Sequence, residues 1–276
     1  MSTTIITEHP AWHRTEKGEV LRVVERDGVP WVARWADDSL QLRPVGRGDA
    51  SPPDVAYASP IRLTMNDEAG PLTNALARLG TVARLTNPSL WDAITTALLR
   101  QVVQAGQARK VYRSYCEAYG RSVDTPAGAM ALAPAPETVL GLSDDGFKAV
   151  GASFNRTALR AAATAYLERG EEWRKATPDE LVQALVEVPR IGPWTAAAAT
   201  ADYTGDHSLY PHGDLAVRTW AKRAAPSVSF PSSDREFEQL WRRWAPDRPA
   251  LHTLTLFTLT WGNHAGVTGG TEAVRA

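Results

Sequence analysis

Apolar and polar residues alternate from Glu19 to Trp35 on both sides of Asp27-Gly28, and a period of two predicts paired β-strands. Asp-Gly accepts the positive φ of a tight hairpin turn. Val20, Val23, Val24, Val29, Trp31 and Val32 supply strand-forming side chains, and Pro30 argues for an edge position. Up to about residue 80 the chain reads as a small antiparallel sheet followed by an irregular connection, punctuated by Ser51-Pro52-Pro53 and Gly70-Pro71.

From about residue 83 the period becomes helical. Trp91, Ile94, Leu98 and Val102 fall three or four apart behind Pro88, and Gly106 divides this helix from a second one ending at Tyr119-Gly120. Leu159, Ala162, Ala163 and Tyr166 outline another helix, ending near Gly170. Thr177-Pro178-Asp179-Glu180 combines a capping box with proline at the first helical position, and Ser233-Asp234-Arg235-Glu236 is a second box. The helix after it runs through Leu240, Trp241 and Trp244 to a stop at Pro246, and a last helix spans about Arg248 to Trp261. The expected fold class is mainly α: a two-lobed helical body (83–265, cleft between the lobes), a β appendage with linker (1–82) and a flexible tail (266–276).

Composition narrows the function without naming it. The 276 residues are 43% hydrophobic and 22% charged with a formal net charge of −1, which fits a folded chain of one or two domains and excludes long disorder. No apolar run reaches the roughly 18–20 residues of a membrane span, and the first residues lack the basic and apolar regions of a signal peptide. Cys116 is the single cysteine, so neither an internal disulfide nor a four-cysteine metal site can form; a cytoplasmic location is expected. Between Arg84 and Arg121 the basic residues Arg84, Arg100, Arg109, Lys110, Arg113 and Arg121 face only Asp92 and Glu117, a local excess that suits an anionic partner.

Residues 181–220 carry the most information. Helix Leu181–Val188 breaks at Pro189-Arg190-Ile191-Gly192-Pro193 and resumes from about Trp194 to Tyr203, a helical hairpin whose turn amides and second-helix N-terminus can bind a phosphate. An ordinary αα-corner gives the same local pattern. The hairpin is followed by Tyr210-Pro211-His212-Gly213-Asp214-Leu215-Ala216-Val217-Arg218. Together the two segments resemble the signature of the helix-hairpin-helix DNA glycosylases (the HhH-GPD superfamily), most of all the bacterial alkyladenine, or 3-methyladenine, branch. Asn87-Pro88-Ser89-Leu90-Trp91, Leu99-Arg100-Gln101 and Ala108-Arg109-Lys110 are similar to the first core helices of that family, and Trp244-Ala245-Pro246-Asp247-Arg248 to its closing segment. The resemblance covers about 85 to 262.

The resemblance implies that Asp214 is catalytic. Breaking an N-glycosidic bond develops oxocarbenium charge, which a carboxylate stabilises while it orients or deprotonates water. Asp214 also reads as the N-cap of a helix, and the two roles are compatible. At Trp194 the glycosylase/lyase members carry a lysine nucleophile; tryptophan cannot form a Schiff base, which implies a monofunctional enzyme that leaves an abasic site. An indole there suits a cationic alkylated purine, with Tyr210 and Trp261 as further pocket residues. Ala198 stands where some relatives place another aromatic, implying a roomier pocket. The hairpin contact maps to Arg190, Ile191, Gly192 and Thr195, around a monovalent cation, Na+ or K+, on turn carbonyls. Arg190 replaces the glycine usual in the family, at about 1 kcal/mol or more if φ is positive there. Gln101 and Val102 map to the residues that fill the gap left by a flipped nucleotide.

No catalytic metal and no iron–sulfur cluster is expected, because the cysteines that would ligate a cluster are missing and His207, His212, His252 and His264 lack ligand spacing. The expected partner is damaged double-stranded DNA, bound by a monomer and not at a membrane. An oxidised-base or mismatch glycosylase of the same fold, and a non-catalytic hairpin module, are the competing readings.

Overall fold

The computed structural model describes residues 2–16, 18–46, 48–63, 66–101, 104–125 and 127–268. Eleven α-helices and nine short strands occur among them, so the chain is mainly α with small β elements. It divides into two compact units, each built from discontinuous segments: residues 1–8, 55–85 and 206–276, and residues 9–54 and 86–205.

In the first unit β1 (Thr3–Ile5) runs parallel to β7 (Thr81–Leu85), and β6 (Val55–Ala58) is antiparallel to β7 on its other side. The border expected near residue 82 therefore falls inside β7, because both of its partner strands come from the N-terminal third. Helix α1 (Gly70–Ala77) packs on α9 (Leu215–Ala224) and α11 (Arg248–Thr268), and α10 (Asp234–Trp244) adds Phe237, Trp241 and Trp244 to the core. Trp241 stacks on Phe237 at 5.1 Å and donates its indole N–H to Thr255 Oγ1 at 3.0 Å. Helix α9 reaches α11 closely at Gly262, where a Cβ would lie 2.3 Å from the Trp220 ring. Gly262→Ala is accordingly expected to cost about 1–3 kcal/mol by overpacking, read as a lower denaturant midpoint at constant slope. An unchanged midpoint would mean that Trp220 swings aside freely.

The second unit begins with a four-stranded antiparallel sheet, β2 (His13–Arg14), β3 (Val20–Arg26), β4 (Val29–Ala36) and β5 (Ser39–Pro44), in that spatial order. Asp27 and Gly28 sit at φ 52° and 77°, as the two-residue turn between β3 and β4 demands. Pro30 is not on an edge strand: β4 is interior. The proline is tolerated because Arg26–Val29 closes the hairpin and the next pair, Glu25–Pro30, is of the non-hydrogen-bonded kind. Leu21, Val23 and Val32 pack under a second hairpin, β8 (Ser122–Thr125) and β9 (Gly128–Ala131), through Val123 and Met130.

The helices of this unit are α2 (Leu90–Leu99), α3 (Ala105–Tyr119), α4 (Pro136–Gly141), α5 (Asp144–Ala149), α6 (Arg156–Trp173), α7 (Pro178–Val186) and α8 (Pro193–Thr204). The break between α2 and α3 precedes Gly106, which lies in the first turn of α3. Helix α6 continues through Gly170 to Trp173, whose buried side chain, 1% exposed, holds the last turn in the core. The Thr177–Glu180 capping box is present; Ser233 caps α10, with Glu236 reaching its hydroxyl. Cys116 is buried, which pushes its thiol pKa up.

One polar cluster is buried in the second unit. Asp92 accepts from Arg22 Nη2 (3.3 Å), Asn87 Nδ2 (3.0 Å) and Tyr112 OH (2.7 Å), with His9 Nε2 at 3.3 Å. Ala11 N–H donates to His9 Nδ1, so the ring's other nitrogen carries the proton that faces Asp92 and Thr96 Oγ1. Asn87 also donates to Asp202 at 2.7 Å, pinning the last turn of α8 to the start of α2. No helix among the described residues is long and apolar enough to cross a membrane. Helix α11 passes the expected start of the tail at 266 and runs to Thr268; residues 269–276 lie outside the described residues.

Candidate active site

The hairpin lies within the second unit. Val188 and Ile191, both 4% exposed, anchor the turn between α7 and α8, and Ile191 N–H donates to Val188 C=O at 3.0 Å. Between them Arg190 has φ 72°, a left-handed conformation that costs an arginine about 1–2 kcal/mol. Its guanidinium side chain is exposed. Pro193 occupies the first helical position of α8, and Gly192 is the N-cap with no side-chain cap and no acidic residue in the first turn. The Gly192 and Thr195 N–H groups donate to no described residue, and a Cβ at Gly192 would meet open space. The Gly192 N–H and the positive end of a twelve-residue helix thus meet at one open spot, which is what an anion needs, with the Thr195 N–H in the buried first turn behind it.

Trp194 follows on the first turn of α8 and is partly exposed, while Ala198 one turn on is buried. Gln101, just past α2, donates its Nε2 to Thr195 Oγ1 at 2.6 Å and to Arg190 C=O at 3.3 Å. No local spacing signalled this contact. Val102 lies outside the described residues. A cavity of about 630 Å³ in the same unit is lined by Asn87, Asp92, Tyr112 and Tyr166 and includes none of the expected site residues.

The remaining expected residues lie in the first unit. Asp214 is the N-cap of α9: its Oδ1 accepts the Ala216 N–H at 2.8 Å, and the residue stays partly exposed. Gly213 is crowded by Asp234, 3.3 Å from where its Cβ would be, and Arg218 ties α9 to Asp234 at 2.7 Å and to Ser232 C=O. The carboxylate is thus fixed by its own helix, and the start of that helix is tied to the start of α10. Tyr210 is 3% exposed, with its ring parallel to His207 at 6.2 Å, whereas Trp261 is partly exposed on α11. His212, which the sequence gives no role beyond lacking ligand spacing, is buried; burial, with Arg242 nearby, lowers its pKa to about 4, so it is neutral at pH 7. Among the described residues no group of three metal-ligating side chains is gathered.

No protein-family model matches the chain. Over 157 residues, 55% of this chain and 30% of the relative, it is 29% identical to a probable bifunctional transcriptional activator/DNA repair enzyme AlkA of Mycobacterium tuberculosis. It therefore spans under a third of that curated relative's length. Among solved structures, the 3-methyladenine DNA-glycosylase of Archaeoglobus fulgidus is similar with a TM-score of 0.69 at 18% identity, over 94% of this chain and 92% of that one. The chain has the helix-hairpin-helix DNA glycosylase fold. The same glycosylase fold is seen in the Clostridium acetobutylicum 8-oxoguanine glycosylase/lyase, solved with double-stranded DNA carrying cytosine opposite 8-oxoguanine (TM-score 0.67, 12% identity, 94% and 90% covered). In this member of the fold the hairpin is the turn at 187–192 between α7 and α8, and the aspartate after it is the cap of α9.

Proposed function

We propose that the protein is a monofunctional DNA glycosylase of base-excision repair, which hydrolyses the N-glycosidic bond of alkylated, positively charged purines such as 3-methyladenine. The observation that carries this reading is Asp214, a partly exposed carboxylate held at one oxygen by the Ala216 N–H. A fixed negative charge stabilises the oxocarbenium ion that develops on the sugar and orients the attacking water. A cationic base is already a good leaving group, so one carboxylate and an aromatic slot suffice. Trp194 supplies that slot, its indole face attracting the charged ring by about 0.5–2 kcal/mol.

The hairpin binds the DNA backbone through Gly192 and Thr195 N–H, with Ile191 anchoring the turn and the Arg190 guanidinium adding a charged contact. Carbonyl oxygens suit an alkali cation. Those of Val188 and Arg190 each accept one hydrogen bond and keep a second lone pair, so Na+ or K+ fits the donor set. Bound there, it would add fixed positive charge for a phosphate. Of the two residues that map to gap filling, Gln101 is engaged at the hairpin, and the gap is assigned to Val102.

The reading is tested by incubating the protein with randomly alkylated duplex DNA and identifying the bases released. Free 3-methyladenine and abasic sites are expected, with no covalent complex trapped by borohydride. The competing reading, an oxidised-base glycosylase/lyase, requires an amine nucleophile, and Trp194 offers none. A trapped complex, or release of 8-oxoguanine alone, would decide for that alternative.

A further inference from the structure

Resting on the hairpin's role in DNA binding, we infer that Gln101 is a positioning residue that holds Arg190 in its left-handed conformation and fixes the first turn of α8. One carboxamide nitrogen has two protons, and they go to opposite sides of Gly192: to the Arg190 carbonyl at 3.3 Å and to Thr195 Oγ1 at 2.6 Å. The hairpin turn is thereby tied to the first turn of α8 across Gly192. Gln101 can act as a brace because its own backbone is anchored. Its N–H donates to Leu98 C=O at 3.2 Å, and the same carbonyl accepts from the buried Asn155 Nδ2 at 2.7 Å.

The need for a brace comes from position 190. A glycine would enter the left-handed region at no steric cost, whereas an arginine there favours relaxation to negative φ. Such relaxation would turn the 190–191 peptide away from Gln101, so the amide and the strained turn support one another. A carboxamide engaged in this way is not available to enter a base stack, which distinguishes a brace from a gap-filling side chain.

The test is hydrogen exchange of the backbone amides in the DNA-free protein, alongside affinity for an undamaged duplex. Gln101→Leu keeps the approximate volume and removes the donor. Faster exchange confined to residues 190–196 is expected, by about two- to tenfold, with Kd for duplex rising by a similar factor. The loss should fall on Kd more than on the excision rate at saturating DNA. Arg190→Gly, added to Gln101→Leu, should restore slow exchange, because the strain that needed bracing is gone, while affinity stays low for want of the guanidinium contact. Thr195→Val, which removes one acceptor, should give a smaller change that does not add to that of Gln101→Leu. Unchanged hairpin exchange in Gln101→Leu, or failure of Arg190→Gly to restore it, would overturn the inference. The exchange measurement needs neither DNA nor catalysis, so a protein that releases no base would refute the proposed activity and leave this result standing.

Discussion

Asp214→Asn is expected to bind alkylated duplex DNA like the wild type and to release base at least about a hundredfold more slowly. Asparagine is as good an N-cap as aspartate, so the bond now made by Asp214 Oδ1 to the Ala216 N–H survives and α9 keeps its start. Only the charge is lost. That separation makes the variant informative, since Asp214→Ala would remove cap and carboxylate together and confound stability with chemistry. The measurement is a single-turnover excision rate on alkylated DNA beside a direct binding assay and a melting curve. Release at the wild-type rate would remove Asp214 from the chemistry, whatever the fold.

The second large effect concerns stability. Asp92→Ala is expected to cost about 3–5 kcal/mol, because it leaves the Arg22 guanidinium, 1% exposed, without its carboxylate partner. The Tyr112 hydroxyl loses its acceptor as well. A second change, Arg22→Met, should recover part of the loss by removing the stranded charge, and no recovery would show that the cost lies elsewhere. The pH dependence has a definite sign. Burial raises the Asp92 pKa, but contact with His9, the Arg22 charge and the Tyr112 hydrogen bond outweigh it and hold the group well below its ordinary 3.8. A depressed carboxylate contributes stability that is complete above the unfolded value and fades as pH falls towards the folded one. The gap between wild type and variant should therefore be constant near neutrality and close on acidification below about 3.8. Urea unfolding across pH 2.5–7 would check this, and a gap that widens in acid would contradict it.

Much of this architecture is written in short-range signals. Asp27-Gly28 forms its hairpin, Thr177-Pro178-Asp179-Glu180 its box, and Pro189-Arg190-Ile191-Gly192-Pro193 its helical turn, because each depends on backbone preferences of a few adjacent residues. What failed to show depends on distant partners. Residues 81–85 look like the start of a helical region, and only pairing with strands from residues 3–5 and 55–58 makes them β. The β8–β9 hairpin is rich in small residues and has little strand propensity; it exists because Val123 and Met130 cover Leu21 and Val23. Asp92 reads as one polar residue in the first turn of an apolar helix, and its importance appears only once Arg22 and His9 arrive from far upstream. Gln101 likewise shows its engagement with residues 190 and 195 only in three dimensions.

The interleaving of the two units has a consequence for synthesis. Every residue of the unit spanning 9–54 and 86–205 has been translated once Gly205 leaves the ribosome, so this unit, with its buried carboxylate cluster, can complete first. The other cannot finish at that stage: β1, β6 and β7 are already made, but α9, α10 and α11 have yet to emerge. The nascent chain thus carries an early three-stranded ribbon that waits for its helical cover, and ribosome stalling between residues 206 and 248 would leave that ribbon the most protease-sensitive part of the polypeptide.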